Sequence, residues 1–482
     1  MNYGIVLRVL GILLIIESLL MIPSLLISLY TEGTDVMAFV ISIIVTGLIG
    51  FILSKKKNYK NQISARDGAA IVSFGWLTAS LLGAVPLYIS KSAPTYIDAF
   101  FEIVSGFTTT GATVLSNVEE LPMGILFWRS FTHWVGGMGI LVFTIALLPA
   151  LGIGGFQIFK AESPGPIAGK IAPKIKDTAK ILYTTYFTIT ILQVILLRVG
   201  GMNLFDSLVY TFGTVGTGGF ATKNNSVGFY DSTYIHLIIG FFMVFSGVNF
   251  SLYYSLYEGK IRDVFHDEEL RLYFGIVLTS TICIGINLFM TSYNSIGLAL
   301  RDSFFQVGSI ITTTGYSTVD FDLWPSFSKG ILFLLMLIGG SAGSTAGGMK
   351  VIRILVMFKL IKREIIKIFH PRAILPIKIN GKIMSNETVA GIYSFIALYL
   401  VIFVVGTLLV TLEGVDLESA SSSVAATLSN IGPGLGFVGP TRNFGGYHQI
   451  TKLLFSFLML LGRLELFTMI ALIAPKDWRR EI

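Results

Sequence analysis

Four short segments rich in threonine, serine and glycine hold the residues of this sequence that are best suited to binding an ion. Each segment has a glycine thirteen positions after an Asp or a Ser. The four pairs are Asp98 and Gly111, Asp206 and Gly219, Asp302 and Gly315, and Ser419 and Gly432. Glycine permits backbone angles that turn carbonyl groups inward and adds no side chain. Because a ring of carbonyl oxygens can replace the hydration shell of a bare cation, the segments predict a cation pore lined by backbone oxygens.

A short helix is predicted between each Asp or Ser and its glycine. Asp and Ser are favourable N-caps because their side-chain oxygens accept from the first free backbone N–H groups. About ten helical residues rise about 15 Å, half the apolar thickness of a membrane, so each helix must re-enter on the side it came from. Four helix carboxyl ends around one axis would present partial negative charge to a cation. The alternative is that each glycine only ends a helix as a C-cap, which the four-fold recurrence disfavours.

The composition indicates a membrane protein. Apolar residues make up 53% of the 482 positions and charged residues only 13%, whereas soluble chains carry about 25% charged residues. The single cysteine, Cys283, excludes an intrachain disulfide and a structural metal site made of thiolates. The net charge of +7 does not indicate nucleic-acid binding, because the basic residues lie between apolar runs.

Ten apolar runs are long enough to cross a membrane. They lie near residues 6–30, 36–53, 68–90, 124–159, 181–199, 233–257, 272–293, 329–358, 387–412 and 450–474. The first is too long for the core of a signal peptide, so we expect it to be a retained span. The predicted fold is an all-α polytopic membrane protein with four span–pore-helix–span repeats around a pseudo-four-fold pore. Two leading transmembrane helices (1–66) precede the repeats, which cover 67–176, 177–265, 266–384 and 385–482.

The distribution of lysine and arginine predicts the orientation of the chain. With both termini in the cytoplasm, the inner segments hold about 23 basic residues. The outer segments then hold four, which are Lys91, Lys223, Arg301 and Arg442. This asymmetry favours a multi-pass protein of the bacterial inner (plasma) membrane.

The sequence resembles the TrkH/KtrB/HKT superfamily of potassium transporters, and specifically its bacterial TrkH branch. The resemblance covers nearly the whole chain, including the two leading spans. The motifs that carry it are Thr108-Thr-Thr-Gly-Ala-Thr113, Arg129-Ser-Phe-Thr-His-Trp-Val-Gly-Gly-Met-Gly139, Gly216-Thr-Gly-Gly-Phe220, Thr312-Thr-Thr-Gly-Tyr316, Gly339-Gly-Ser-Ala-Gly-Ser-Thr-Ala-Gly-Gly-Met-Lys350 and Asn430-Ile-Gly-Pro-Gly-Leu-Gly436.

The resemblance implies a selectivity filter with one glycine from each repeat. The implied filter residues are Thr109, Thr110, Gly111, Thr217, Gly218, Gly219, Thr313, Thr314, Gly315, Asn430, Ile431 and Gly432. Potassium is expected at Thr110, Gly111, Gly218, Gly219, Thr314, Gly315, Ile431 and Gly432. In plant relatives a serine at the first filter glycine goes with sodium preference, so Gly111 favours potassium. The fourth segment departs most from the Thr-Thr-Gly type.

The resemblance also implies a homodimer on a cytoplasmic ring of TrkA-type nucleotide-binding regulatory subunits. No segment between the spans is long enough for a soluble domain. Any nucleotide is therefore expected on the partner, and no organic cofactor is expected in this chain. Potassium is the expected ligand.

A break is predicted in the apolar stretch from about Ser328 to Ile368, which as one helix would reach roughly 60 Å, twice the membrane core. Glycine is a poor helix former, and five glycines lie within residues 339–348. We expect an irregular loop under the filter, and the resemblance implies that it is an intramembrane gate. The predicted gate residues are Gly340, Ser341, Ala342, Gly343, Ser344, Thr345, Ala346, Gly347, Lys350 and Arg463. The alternative for the loop is close helix packing through small residues, and Lys350 could be an inner-surface lysine.

Arg463 lies inside the last apolar run. A central arginine costs at least about 3 kcal/mol, so it should face a cavity or a partner. In the family, the matching arginine projects into the conduit below the filter as a barrier. The alternatives are a local pair with Glu465 and a snorkelling side chain.

Two further side chains have open roles. Glu102, on the first short helix, could attract cations or support packing, and His133 is expected to be packed because the five histidines do not cluster. No nucleophile–base–acid set indicates an enzyme. The predicted function is gated potassium uptake. The alternatives are a symporter that couples potassium to sodium or protons, which the few acidic residues in the spans disfavour, and a non-transporting membrane scaffold.

Overall fold

The computed structural model describes residues 2–56, 64–139 and 175–473, and most of them are helical. The helices, in chain order, are α1 (Tyr3–Leu20), α2 (Ile22–Tyr30), α3 (Val36–Ser54), α4 (Ala65–Gly83), α5 (Val85–Ile89), α6 (Tyr96–Phe107), α7 (Met123–Gly137), α8 (Ile175–Val199), α9 (Leu204–Val215), α10 (Thr233–Ser246), α11 (Phe250–Tyr257), α12 (Ile261–His266), α13 (Glu268–Thr291), α14 (Ile296–Ile311), α15 (Ser326–Ile338), α16 (Val351–Phe369), α17 (Asn386–Thr411), α18 (Leu417–Leu428), α19 (Gln449–Arg463) and α20 (Leu466–Ile473). An antiparallel hairpin of strands β1 (Lys378–Ile379) and β2 (Lys382–Ile383) lies between α16 and α17. The predicted helical class is confirmed for these residues. The second half of the predicted span 124–159 and most of the basic segment 160–180 lie outside them.

The long apolar helices are fewer than the ten predicted spans. Within the described ranges, six helices are long and apolar enough to cross a membrane, and a seventh span is reached if the bent pair α10 and α11 is counted. The pair is bent by 92°. Two other predicted spans, 329–358 and 450–474, are divided between helices that do not meet this criterion, because hydropathy reports the apolar content of a run and not the continuity of its helix. A third, 124–159, lies largely outside the described residues.

The predicted break between Ser328 and Ile368 is confirmed. Helix α15 ends at Ile338 and α16 begins at Val351, and residues 339–350 form a glycine-rich loop between them. Gly339, Gly343 and Gly348 have φ values of 75°, 71° and 77°. These left-handed conformations suit glycine and interrupt the helix.

Four short helices, α6, α9, α14 and α18, have 12, 12, 16 and 12 residues. The predicted N-caps were wrong. The side chains that cap α6, α9 and α18 belong to Thr95, Asn203 and Asp416, three residues before the predicted positions. The third residue of each of these helices is therefore the predicted one, Asp98, Asp206 or Ser419. Its backbone N–H group donates to the capping side chain. Asp302 lies inside α14, because that helix begins further upstream, at Ile296.

The two leading helices pack closely against each other. A Cβ atom added at Gly11 of α1 would overlap the backbone of α3 at Ser54, and one added at Gly50 would meet the backbone of α1. The main apolar core continues from α1 through α4, α6 and α7 to the last helices. A second core joins α13, α14 and α15. These two cores hold α6, α14 and α18 in place, and a smaller core that includes Tyr210 holds α9.

Candidate ion-binding site

The four short helices end in the same turn. The residues that leave the helices, Thr109, Thr217, Thr313 and Asn430, have left-handed φ values of 54°, 56°, 57° and 59°. The N–H group of the next residue then donates to the carbonyl five residues back, at 2.7–2.8 Å in all four cases. This is the hydrogen bond that defines a Schellman C-cap. The fourth turn has the same backbone conformation as the other three, although it has Asn430 in place of a threonine.

A glycine follows two residues after each left-handed residue, and the four glycines close a ring. A Cβ atom at Gly111 would overlap the carbonyl oxygen of Gly218, and the same relation holds from Gly219 to Thr314, from Gly315 to Ile431 and from Gly432 to Thr110. Each glycine therefore faces the carbonyl that precedes the next glycine. The glycines also have φ values between 78° and 99°, so both space and conformation require glycine. We call the carbonyls of Thr110, Gly218, Thr314 and Ile431 the carbonyl ring.

The glycines of the ring line one cavity. Gly111, Gly219, Gly315 and Gly432 all contribute to it, together with side chains from the segments that follow them. The structure thus brings the twelve predicted filter residues together. A ring of carbonyl oxygens suits a dehydrated monovalent cation. Among the described residues, no group of three His, Cys, Asp or Glu side chains could hold a metal ion.

A buried ion pair supports the first turn from behind. Glu102 on α6 forms an ion pair with Arg129 on α7, and the exposed fractions of the two side chains are 0% and 1%. The same carboxylate accepts from the hydroxyl of Thr113 at 2.9 Å and from the N–H of Val114 at 3.0 Å. The guanidinium carbon of Arg129 lies 4.1 Å from the ring centroid of Phe220. These contacts favour the supporting role for Glu102.

His133 joins the first two turns. Its Nδ1 atom lies 2.9 Å from the carbonyl oxygen of Gly106. The N–H of Phe220 lies 3.3 Å from Nε2. The carbonyl can only accept and the N–H can only donate, so this pattern assigns the neutral imidazole with its proton on Nδ1. The predicted packing role of His133 therefore includes holding the first two turns of the carbonyl ring next to each other.

The fourth turn joins the first through Asn430. Its Nδ2 atom donates to the Thr110 hydroxyl at 3.0 Å and to the Met459 carbonyl at 2.9 Å. Asn tolerates the left-handed conformation better than Thr does. The segment that departs most in sequence therefore keeps the same backbone and gains a side-chain link.

The glycine-rich loop lies directly against the ring. The N–H of Gly347 donates to the hydroxyl of Thr313 at 2.7 Å. A Cβ atom at Gly347 would overlap the carbonyl oxygen of Ser429, at the end of α18. On its other side, Glu269 of α13 accepts from the N–H groups of Ala342 and Ile352 at 2.7 and 3.1 Å.

Arg463 links the loop to α7. Its guanidinium donates to the carbonyl of Thr345 at 2.8 Å and to those of Gly136 and Gly137 at 2.6 and 3.0 Å. The carboxylate of Glu465 pairs with Arg353. The structure therefore brings Arg463 together with the other predicted gate residues.

Lys350 also belongs to this cluster. It is 3% exposed, and its ammonium group donates to the carbonyl of Ala346. The reading of Lys350 as an inner-surface lysine was wrong. The backbone N–H of Lys350 donates to the carbonyl of Ile338 at 2.8 Å, so the loop returns to the end of α15 at this residue.

Sequence reasoning missed several supporting residues. Glu269 carried no local signal, because its partners follow more than 70 residues later. Arg129 and His133 stood in a motif that was singled out, but their partners on other helices could not be deduced from spacing. The side-chain role of Asn430 depends on Thr110, which is 320 residues away.

Apolar helices around a ring of backbone carbonyls define a membrane protein of the cation-transport class. The chain belongs to the TrkH family of cation transport proteins, whose family model matches residues 35–480.

Proteins of known name support this assignment. The chain is 40% identical to the Trk system potassium uptake protein TrkH of Salmonella typhimurium, over 99% of this chain and 100% of that protein. It is 35% identical to the Trk system potassium uptake protein TrkG of Escherichia coli, over 97% of both chains. The crystal structure of the potassium transporter TrkH from Vibrio parahaemolyticus matches 99% of this chain and 100% of that chain, with a TM-score of 0.89 and 36% identity.

Proposed function

We propose that this protein takes up potassium through a selectivity filter formed by the carbonyl ring. The observation that carries the proposal is the closed order of contacts in which each of four glycines faces the carbonyl of the next segment. A ring of carbonyl oxygens can replace the water that a potassium ion loses on entry. The relatives are named as potassium uptake proteins, which supports potassium as the ion.

The glycine-rich loop is the proposed gate. It packs against the third and fourth turns through Gly347, and we place it across the ion pathway next to the ring. The positive charge of Arg463, held at the loop by Thr345, adds an electrostatic barrier to cations. Opening then requires the loop to leave the contacts with Thr313, Glu269 and Arg463.

The assembly and the orientation follow the same proposal. We place both termini and the hairpin of β1 and β2 in the cytoplasm of a bacterial cell, in accord with the lysine and arginine count. A homodimer would stand on a TrkA-type ring that binds the regulatory nucleotide. The relatives' description as parts of a Trk system supports more than one component.

The test is ion flux through purified protein in liposomes, with potassium and sodium compared. Gly111→Ser should reduce potassium flux at least tenfold, because its side chain would overlap the Gly218 carbonyl. Gly414→Ser is a matched control, since Gly414 also has a left-handed φ of 80° but no atom within 4 Å of an added Cβ. Equal flux in the two variants would reject the carbonyl ring as the conduit.

One observation bears on the alternative of a coupled symporter. Glu17 of α1 is fully buried, and among the described residues neither of its carboxylate oxygens has a hydrogen-bond partner. One oxygen lies next to Gly83 of α4, and the carboxylate is therefore a candidate proton site. A reversal potential that follows the pH gradient in the wild type and not in Glu17→Gln would favour proton coupling.

A further inference from the structure

The side chains at the left-handed position of the three threonine turns make different contacts. The hydroxyl of Thr217 donates to the carbonyl of Gly216 at 2.7 Å. The hydroxyl of Thr109 is buried and has no hydrogen-bond partner in the described part of the chain. The hydroxyl of Thr313 accepts from the N–H of Gly347 at 2.7 Å. The third turn is therefore the one whose threonine hydroxyl contacts the glycine-rich loop.

The turn itself does not require threonine. A left-handed φ is unfavourable for a β-branched residue, and Gly or Asn adopts it more readily. The fourth turn uses Asn430 with nearly the same φ as Thr313, 59° against 57°. The backbone conformation of the third turn therefore does not require the hydroxyl of Thr313.

Gly347 is confined between two turns. Its N–H is satisfied by Thr313 on one side, while its Cα is packed against the carbonyl of Ser429 on the other. Ser429 is held in turn by a 2.6 Å hydrogen bond between its hydroxyl and that of Tyr399. The loop cannot move away from the ring without breaking the bond to Thr313.

We infer that the Thr313 hydroxyl holds the glycine-rich loop against the third turn of the carbonyl ring. The inference rests on the proposed function of the loop as a gate. Thr313 is a positioning residue here, because it acts through Gly347. Loss of its hydroxyl leaves a buried N–H without an acceptor and favours the displaced loop.

The first test is rubidium flux into liposomes that contain the purified protein without any partner subunit. Thr313→Val keeps the β-branched shape and removes the hydroxyl. Thr46→Val makes the same change in α3, away from the carbonyl ring, where the buried hydroxyl has no hydrogen-bond partner among the described residues. We expect Thr313→Val to raise flux on the order of fivefold, the shift that loss of one net hydrogen bond produces. Thr46→Val should stay within about twofold of the wild type, and Thr313→Ser should restore wild-type flux.

The second test reads the loop directly through amide hydrogen exchange of residues 339–350 in the purified protein. Thr313→Val should accelerate exchange in this segment, whereas Thr46→Val and Thr313→Ser should not. If Thr313→Val does not yield folded protein, Thr313→Ala is compared with Thr46→Ala.

Equal flux and equal exchange in the Thr313 and Thr46 variants would overturn the inference. A wild-type protein that conducts neither potassium nor rubidium would instead reject the proposed function. In that case the exchange experiment still decides whether Thr313 holds the loop.

Discussion

The side-chain amide of Asn430 donates to the hydroxyl of Thr110 across a gap of 320 residues in the chain, at 3.0 Å. The bond joins the last turn of the carbonyl ring to the first. The ring is thus closed by a side-chain contact as well as by the packing of Gly432 against the first turn.

Replacement of Asn430 should weaken this closure. Asn430→Ala removes two buried hydrogen bonds, to Thr110 and Met459, and places a Cβ residue without a polar group in a left-handed conformation. We expect a loss of about 2–4 kcal/mol in stability, measured by thermal unfolding in detergent, and at least tenfold lower potassium flux. Asn430→Gly also removes the two hydrogen bonds, but glycine adopts the left-handed conformation without a free-energy cost. If both variants behave as the wild type does, the amide does not hold the ring.

Breaking the ion pair behind the first turn should be costly. Glu102→Gln leaves the Arg129 guanidinium buried without its counter-charge, and such a loss typically costs about 3–5 kcal/mol. Unfolding temperature and flux should fall together. The control is Glu119→Gln, which removes a partly exposed pair with Lys223 at 3.8 Å and should cost less than about 1 kcal/mol. Similar effects of the two substitutions would contradict a supporting role for Glu102.

Removal of the arginine at the loop should raise flux. Arg463→Ala deletes a positive charge and the hydrogen bonds to Thr345, Gly136 and Gly137, so we expect an increase on the order of tenfold in liposomes. Arg442→Ala serves as the control. Arg442 lines the cavity on the glycine side of the ring, to which no residue of the glycine-rich loop contributes, and its guanidinium donates to the carbonyl of Gly436 at 3.0 Å. Unchanged or reduced flux in Arg463→Ala would count against its role in the gate.

Glu269 should hold the opposite side of the loop. Glu269→Ala leaves the buried N–H groups of Ala342 and Ile352 without their acceptor, and each loss costs roughly 1–3 kcal/mol. We expect flux without partner subunits to rise at least fivefold. The neighbouring Glu268→Ala breaks only a partly exposed pair with Lys359 and should change flux by less than twofold. A larger change in flux for Glu268→Ala than for Glu269→Ala would contradict the role of Glu269 in holding the loop.

The backbone of the ring could be predicted from the sequence because its cause is local. In each of the four segments a short helix ends just before a glycine that adopts a left-handed φ. This local pattern can be recognised in the sequence, and it identified the twelve residues that come together in the structure. Helix starts were harder to locate. Thr95 and Asp98 are both good capping residues three positions apart, and only the fold decides between them.

Other features could not be predicted because their causes are distant in the chain. The break between α10 and α11 follows from contacts of Gly247 and Asn249 with the glycine-rich loop, whose nearest residues lie more than 90 positions later. The partners of Glu269 and Asn430 are equally remote. Spacing within a motif carries no information about such pairs.

The closed order of glycine and carbonyl contacts makes the width of the opening a shared property of four segments. A larger residue in any segment displaces the neighbouring oxygen and thereby reshapes two sides at once. At the same time, one continuous polypeptide frees each side to carry its own chemistry, unlike a pore assembled from identical subunits. Chemical asymmetry around the ring, with the amide of Asn430 in one turn and a threonine hydroxyl in each of the other three, is therefore built into this architecture.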